Sequence, residues 1–396
     1  MLNEKMVKLG TESSAIRQLF EYGKQRKAEI GDDKVFDFSI GNPSVPAPES
    51  VNETIRELIE KEDSVLLHGY TSAPGDMAVR TKIANYIKET SGIEAEASNI
   101  YMTCGAAASL TVTLTAIANE GDEVILLAPF FPEYRVFAEK AGFKCVVVNC
   151  REGDFQIDIP VLEKAINKNT KAIIINSPNN PTGVVFSEET IISLAELLNR
   201  KQEELGKEIF LISDEPYREL VYGDVSVPYP ANYYNNTVVC YSFSKSLSLP
   251  GERIGYIFVS PRCKDSAFVF AAVCGAGRAL GFVCAPSMLQ RVVAENLGKT
   301  ANINVYNTNR ELLYNALTEY GYTAVKPDGA FYLFVKALES DAAAFAEEAK
   351  KQELLLVPSD SFGMGGYVRI SYCVSTEQIK ASLPAFKKLY EEYNNG

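Results

Sequence analysis

Six continuous apolar runs recur along the middle of the chain: Val124–Ala128, Cys145–Val148, Ala172–Ile175, Ile209–Ile212, Val238–Tyr241 and Ile254–Val259. They do not alternate with polar residues, so each reads as a strand buried on both faces. Helical patterns separate most of them, at Ala107–Ala118, Tyr134–Ala141, Val161–Ile166 and Glu188–Leu205. Strands joined through helices run parallel, with the helices covering the sheet. The predicted class is therefore α/β, a mostly parallel sheet sandwiched by helices. The link between the last two runs is too short for a helical crossover, so that pair is predicted antiparallel.

Both ends of the chain read differently. Helical patterns at Ser14–Lys27, Asn302–Tyr320, Asp341–Lys351 and Thr376–Tyr393 surround short strands at Phe331–Val335, Leu354–Val357 and Tyr367–Tyr372. The expected division is a large domain over residues 46–287 and a smaller α+β domain over 288–396. Residues 1–45 form an arm and part of that small domain. A crevice between two such domains is the usual place for a small ligand.

Polar motifs follow three of the apolar runs. They are Asn176-Ser177-Pro178-Asn179-Asn180-Pro181-Thr182-Gly183, Ser213-Asp214-Glu215-Pro216-Tyr217 and Ser242-Phe243-Ser244-Lys245-Ser246. Ligands in open α/β sheets bind outside the carboxyl ends of the strands, so Asn180, Asp214 and Lys245 are expected to converge. A lysine in such a polar pocket can lose its proton and form a Schiff base with a carbonyl. The neighbouring hydroxyls, and Arg253 eight positions on, suit a phosphate. An aldehyde that carries a phosphate is pyridoxal 5'-phosphate. Farther upstream, Gly105-Ala106-Ala107 opens an apolar helix, where free N–H groups favour an anion.

With these motifs in this order, the chain from about residue 10 onward resembles the class I, fold-type-I pyridoxal-phosphate aminotransferases. The resemblance implies a site residue by residue. Lys245 carries the cofactor as a Schiff base and moves the proton. Asp214 pairs with the pyridine nitrogen, while Tyr217 and Asn180 donate to the ring's phenolic oxygen. Phe131 stacks on the ring. Gly105, Ala106 and Ala107, with Ser242, Ser244 and Arg253, cup the phosphate. Arg369, on the alternating strand Tyr367-Val368-Arg369-Ile370-Ser371, clamps the substrate α-carboxylate, which Gly41 and Asn180 also face. Tyr70 reaches the phosphate of a neighbouring subunit, which implies a homodimer. Arg278, 33 positions after Lys245, is a candidate reader of a distal carboxylate, raising aspartate or glutamate as substrate. The implied reaction moves an amino group between an L-amino acid and a 2-oxo acid. The alternative on the same residues is a C–S lyase.

Composition narrows the partners. A net charge of −12 without a basic run disfavours nucleic acid and anionic membranes. A single histidine, His68, removes zinc sites built from two or more histidines. Eight cysteines without a C-x-x-C pair read as free thiols in a reducing cytoplasm. The first ten residues mix charges and lack an apolar centre, so no secretory leader is expected. Ser266 to Gln290 is apolar but holds Arg278 at its centre, which argues against a membrane span. It is expected to be buried in the protein, at a subunit contact.

Overall fold

A computed structural model describes residues 2–12 and 14–394. Twelve strands occur among these residues: β1 (Phe36–Asp37), β2 (Ile100–Thr103), β3 (Glu123–Ala128), β4 (Lys144–Asn149), β5 (Thr170–Asn176), β6 (Phe210–Asp214), β7 (Thr237–Ser242), β8 (Gly255–Val259), β9 (Tyr332–Lys336), β10 (Leu354–Leu355), β11 (Val357–Pro358) and β12 (Tyr367–Ser371). Seven of them form one sheet in the order β2-β8-β7-β6-β5-β3-β4. All its neighbours pair in parallel except at β8, which is antiparallel to β7 and to β2.

Continuous apolar strands arise because both sheet faces are covered. In β3, Val124 and Leu126 pack into one core cluster, and Ile125 and Leu127 into another. In β5, Ala172 and Ile174 take the first face, Ile173 and Ile175 the second. The helices Ala106–Ile117 and Glu188–Leu205 supply the covering layers. At the carboxyl ends, Asn176 lies level with Asp214, Asp214 with Cys240, and Ser242 with Gly255. Three polar strand ends therefore open on one edge of the sheet.

The remaining strands stand apart. β11-β12-β9 is a three-stranded antiparallel sheet, and β1 pairs in parallel with β10. The chain's first strand is thereby tied to its last hundred residues. The helices Asn304–Tyr320 and Thr376–Asn394 pack here around Phe331, Leu333, Val368 and Ile370.

Three sequence expectations need correction. Ile100–Thr103 is a strand that the apolar-run pattern did not reveal. Leu354–Val357 is two short strands with different partners, not one. Ser266 to Gln290, expected to be buried at a subunit contact, is not buried within its own chain. It begins as the helix Ser266–Leu280, which buries only Val273, Ala276 and Gly277. Phe268, Ala271, Gly275 and Arg278 share its outer face and are exposed. No helix among the described residues is long and apolar enough to cross a membrane.

Candidate active site

The strand ends open into a cavity of about 290 Å³. Lys245 reaches it from the short helix Phe243–Ser246, which continues β7 directly. Its Nζ donates to the carbonyl of Gly41 at 2.6 Å. Burial lowers the amine's pKa to about 8, and the nearby Arg253 and Arg369 push the same way against Cys373. An amine so placed gives up its proton far more readily than a surface lysine.

Asp214 ends β6 on the cavity wall and is buried. Burial raises its pKa to about 7, and a hydrogen bond from Tyr134 opposes the rise. Tyr134 Oη donates to Oδ2 at 2.5 Å. The other carboxyl oxygen, Oδ1, is buried with no partner. An orphaned acceptor is costly unless a donor or a cation meets it. Asn176 ties the end of the aspartate's strand to the loop after its own, donating to Asp214 O and accepting from Asn180 N.

Arg369 sits on β12 and is 2 % exposed. Nη1 donates to Asn180 Oδ1 at 3.0 Å and Nη2 to Ser39 O at 2.6 Å. Both partners are neutral, and Nε has none. Burial lowers the guanidinium's pKa. The aromatic faces of Tyr332 and Phe362 lie 4.6 and 5.2 Å from its Cζ. A buried cation without an anion is poised to receive one.

At the other end, the helix Ala106–Ile117 points its free N–H groups at the cavity through Ala106 and Ala107. Gly105 caps it at φ 87°, ψ 175°, a conformation essentially restricted to glycine. A side chain there would also meet Arg253 Nη2 at 3.0 Å. Ser242 Oγ accepts from Ser244 N and donates to Ser244 Oγ at 2.8 Å. Gly41 leaves room for Tyr332, whose Oη would lie 2.0 Å from any Cβ. Tyr217 Oη and Tyr332 Oη are 2.9 Å apart.

A family model for class I and II aminotransferases matches residues 33–386. The chain belongs to this family. A probable aspartate/prephenate aminotransferase of Aquifex aeolicus is 32 % identical, covering 90 % of this chain and 91 % of its own. A crystal structure of an amino transferase from Eubacterium rectale superposes with a TM-score of 0.98 at 56 % identity, over 100 % of this chain and 99 % of that one. An aspartate aminotransferase from Thermotoga maritima superposes with a TM-score of 0.87 at 27 % identity, over 100 % of both chains. The protein is a pyridoxal-phosphate-dependent aminotransferase, exchanging an amino group between an amino acid and a 2-oxo acid. Its relatives carry aminotransferase names, and nothing in them favours the C–S lyase alternative.

Of the residues read from the sequence, Gly41, Ala106, Ala107, Phe131, Asn180, Asp214, Tyr217, Ser242, Ser244, Lys245, Arg253 and Arg369 line the aminotransferase's cavity. Gly105 stands beside it at the helix cap. Gly41 accepts from Lys245 Nζ through its carbonyl. Tyr70 and Arg278 are not brought to the cavity by this chain: both are exposed, and neither side chain has a partner among the described residues. Within its own chain Arg278 is not a buried charge; the distal-carboxylate role expected of it concerns a neighbouring copy's site. Sequence reasoning missed Tyr134, Asn176 and Tyr332. Asn176 was within a quoted motif, but Tyr134 and Tyr332 carried no signal beyond ordinary apolar patterning.

Proposed function

We propose that the cavity residues divide the transamination among them as follows. Lys245 is the amine that holds the cofactor and takes the proton from the substrate α-carbon. Asp214 presents its unpaired Oδ1 to the ring nitrogen. Tyr217 and Asn180 face the ring's phenolic oxygen, and Phe131 covers one ring face. The N–H groups after Gly105, at Ala106 and Ala107, hold the phosphate with Ser242, Ser244 and Arg253. Arg369, steadied by Asn180, binds the substrate carboxylate. When bound, pyridoxal phosphate supplies the aldehyde that exchanges amines and the electron sink for the α-carbon. The fit rests on an orphaned acid oxygen, an anion-free buried arginine and a desolvated lysine around one cavity.

The chain's own groups fit this order of events. With its pKa lowered to about 8, Lys245 is a usable base near neutral pH. A cation opposite Asp214 would draw its pKa back down and keep it ionised. The close approach of Gly41, Tyr332 and Phe331 narrows the wall beside the amine.

The active unit in this reading is a cytoplasmic homodimer. Tyr70 from one copy completes the phosphate site of the other. Residues 46–287 form the large domain, residues 288–396 the small one, and residues 1–45 the arm. Its support is the fully exposed Tyr70 on a loop bonded to the segment after the glycine-rich helix, through Cys284 N to Ala73 O.

The observation that carries the reading is the shared cavity of Lys245, Asp214 and Arg369. Borohydride treatment of the holoenzyme should bleach its visible band and leave the cofactor attached at Lys245, located by peptide mass spectrometry. Lys245→Ala should remove the attachment and lower turnover by more than the ~10²–10⁴-fold typical of one acid–base group. Label on any other lysine overturns the assignment.

A further inference from the structure

We propose that Tyr332 is a positioning residue that ties the cofactor side of the cavity to its substrate side. Its hydroxyl aims Tyr217 at the ring's phenolic oxygen, and its ring face fixes the Arg369 guanidinium for the substrate carboxylate. The inference rests on the roles proposed above for Tyr217 and Arg369 and adds the residue that couples them.

Tyr332 opens β9 of the three-stranded sheet and lines the cavity, buried. In the antiparallel pair with β12 it stands opposite Ser371, while Arg369 stands opposite Phe334. Positions two apart on a strand share a face, so Tyr332 is the diagonal neighbour of Arg369. The guanidinium Cζ accordingly lies 4.6 Å from the centre of the Tyr332 ring. A cation is attracted to that face, most strongly where water is excluded. Tyr217 follows β6 of the seven-stranded sheet. Its Oη lies 2.9 Å from Tyr332 Oη, and the two rings pack edge to face at 5.7 Å and 82°. One side chain therefore meets both groups and joins the two sheets across the cavity. A Cβ at Gly41 would lie 2.0 Å from Tyr332 Oη, so glycine there leaves the hydroxyl its place.

The direction of the hydrogen bond follows from valence. A tyrosine hydroxyl has one hydrogen to donate. When Tyr217 gives its hydrogen to the phenolic oxygen, the hydrogen between the two tyrosines can come only from Tyr332. Burial pushes the Tyr332 hydroxyl up to about 12, against the pull of Arg369, so it keeps that hydrogen at neutral pH. A hydroxyl that accepts one hydrogen bond donates the next more strongly. Tyr332 thus strengthens the hold of Tyr217 on a negative phenolic oxygen. Arg369 and Asp214 also face Tyr217, Arg369 and Cys373 face Tyr332, and Lys245 bonds the Gly41 carbonyl beside them. All four stay in place when only the Tyr332 hydroxyl is removed.

Two variants of the holoenzyme separate the hydroxyl from the ring. Tyr332→Phe removes the hydroxyl alone. The pH midpoint of the visible band should then rise by about 0.2 unit or more, because a less supported oxygen anion keeps a proton to higher pH. Affinity for alanine, leucine and aspartate, titrated on the same band, should stay within about twofold, since the ring face remains. Tyr332→Leu removes the ring as well and should weaken all three amino acids about threefold or more. The α-carboxylate is common to the three, so their losses should match. Tyr217→Phe and Arg369→Lys are the controls: the first should raise the midpoint, and the second should weaken all three amino acids. Controls that respond while either Tyr332 effect is absent overturn the inference and leave the site roles intact. Losses that differ among the three amino acids also overturn it, since they put Tyr332 against the substrate side chain. If Tyr332→Leu does not fold, the midpoint of Tyr332→Phe decides alone. Controls that move nothing overturn the roles of Tyr217 and Arg369, and the inference with them.

Discussion

Asp214 and Arg369 are each held in a state that the chain alone does not satisfy. The Asp214 carboxyl keeps its proton to about pH 7 when folded, against 3.8 in its ordinary state, chiefly through burial. Between those values the folded protein binds one more proton than the unfolded chain. Its contribution to stability is therefore full below about pH 4 and is lost as pH rises to about 7. Cofactor-free protein should show a urea midpoint falling across that window, and Asp214→Asn should flatten part of the fall. The hydrogen bond from Tyr134 favours the ionised form, so Tyr134→Phe should extend the fall beyond pH 7. An identical midpoint profile in all three proteins would show that the carboxyl ionises normally. Arg369 makes a different test. Lysine at that position keeps a charge but not the planar fork, so Arg369→Lys loses at least one charge-assisted hydrogen bond to the carboxylate. At about 1.5–3 kcal/mol, kcat/KM for amino acids should fall roughly 10–100-fold. An unchanged value would move carboxylate binding to another residue.

At the scale of elements, the phosphate end depends on how one helix begins. Alanine at position 105 must leave a backbone conformation that costs about 1–3 kcal/mol for residues other than glycine, and its Cβ presses on Arg253. The relaxed turn would pull the first N–H groups of Ala106–Ile117 off the phosphate. Gly105→Ala should weaken pyridoxal-phosphate binding about tenfold or more by absorbance titration, with the circular dichroism spectrum unchanged. Equal affinity would show that the helix start takes no part. Small residues before an apolar helix are ordinarily plain packing, so this element stood out in the sequence only through its place among the other motifs. The six sheet strands were readable on their own, since only strands covered on both faces tolerate unbroken hydrocarbon. Ile100–Thr103 escaped because Tyr101 and Thr103 interrupt its apolar character, although the sheet buries all four residues. Tyr134 escaped because its partner lies 80 residues away, so only the fold brings the hydroxyl to Asp214. Arg278 was expected to be buried because its neighbours in sequence are apolar. Helical geometry instead turns it outward with Phe268, on the face opposite Val273 and Ala276.

For the whole molecule, that outward face is the feature a monomer does not explain. Phe268 is 77 % exposed, Val65 78 %, Leu66 66 % and Tyr70 100 %. Val65, Leu66 and Tyr70 follow closely on one another in the chain, and large exposed apolar side chains so grouped mark an interaction surface. A two-fold pairing of copies would cover it with the same patch, and would carry each Tyr70 toward the other copy's Arg253 and Ala106. The prediction is functional complementation. Tyr70→Ala chains keep Lys245 and lack the tyrosine, whereas Lys245→Ala chains keep the tyrosine and lack the amine, so each homodimer alone should be nearly inactive. In a heterodimer, the chain that retains Lys245 receives an intact Tyr70 from its neighbour, restoring one of its two sites. Random reassembly of equal amounts makes about half the dimers mixed, so about one quarter of the wild-type sites should return. Co-refolding the two variants and assaying the mixture measures this. Recovery near that fraction requires the tyrosine to act across the interface. No recovery, despite mixed dimers in native mass spectrometry, would place Tyr70 in its own chain's site or outside the reaction altogether.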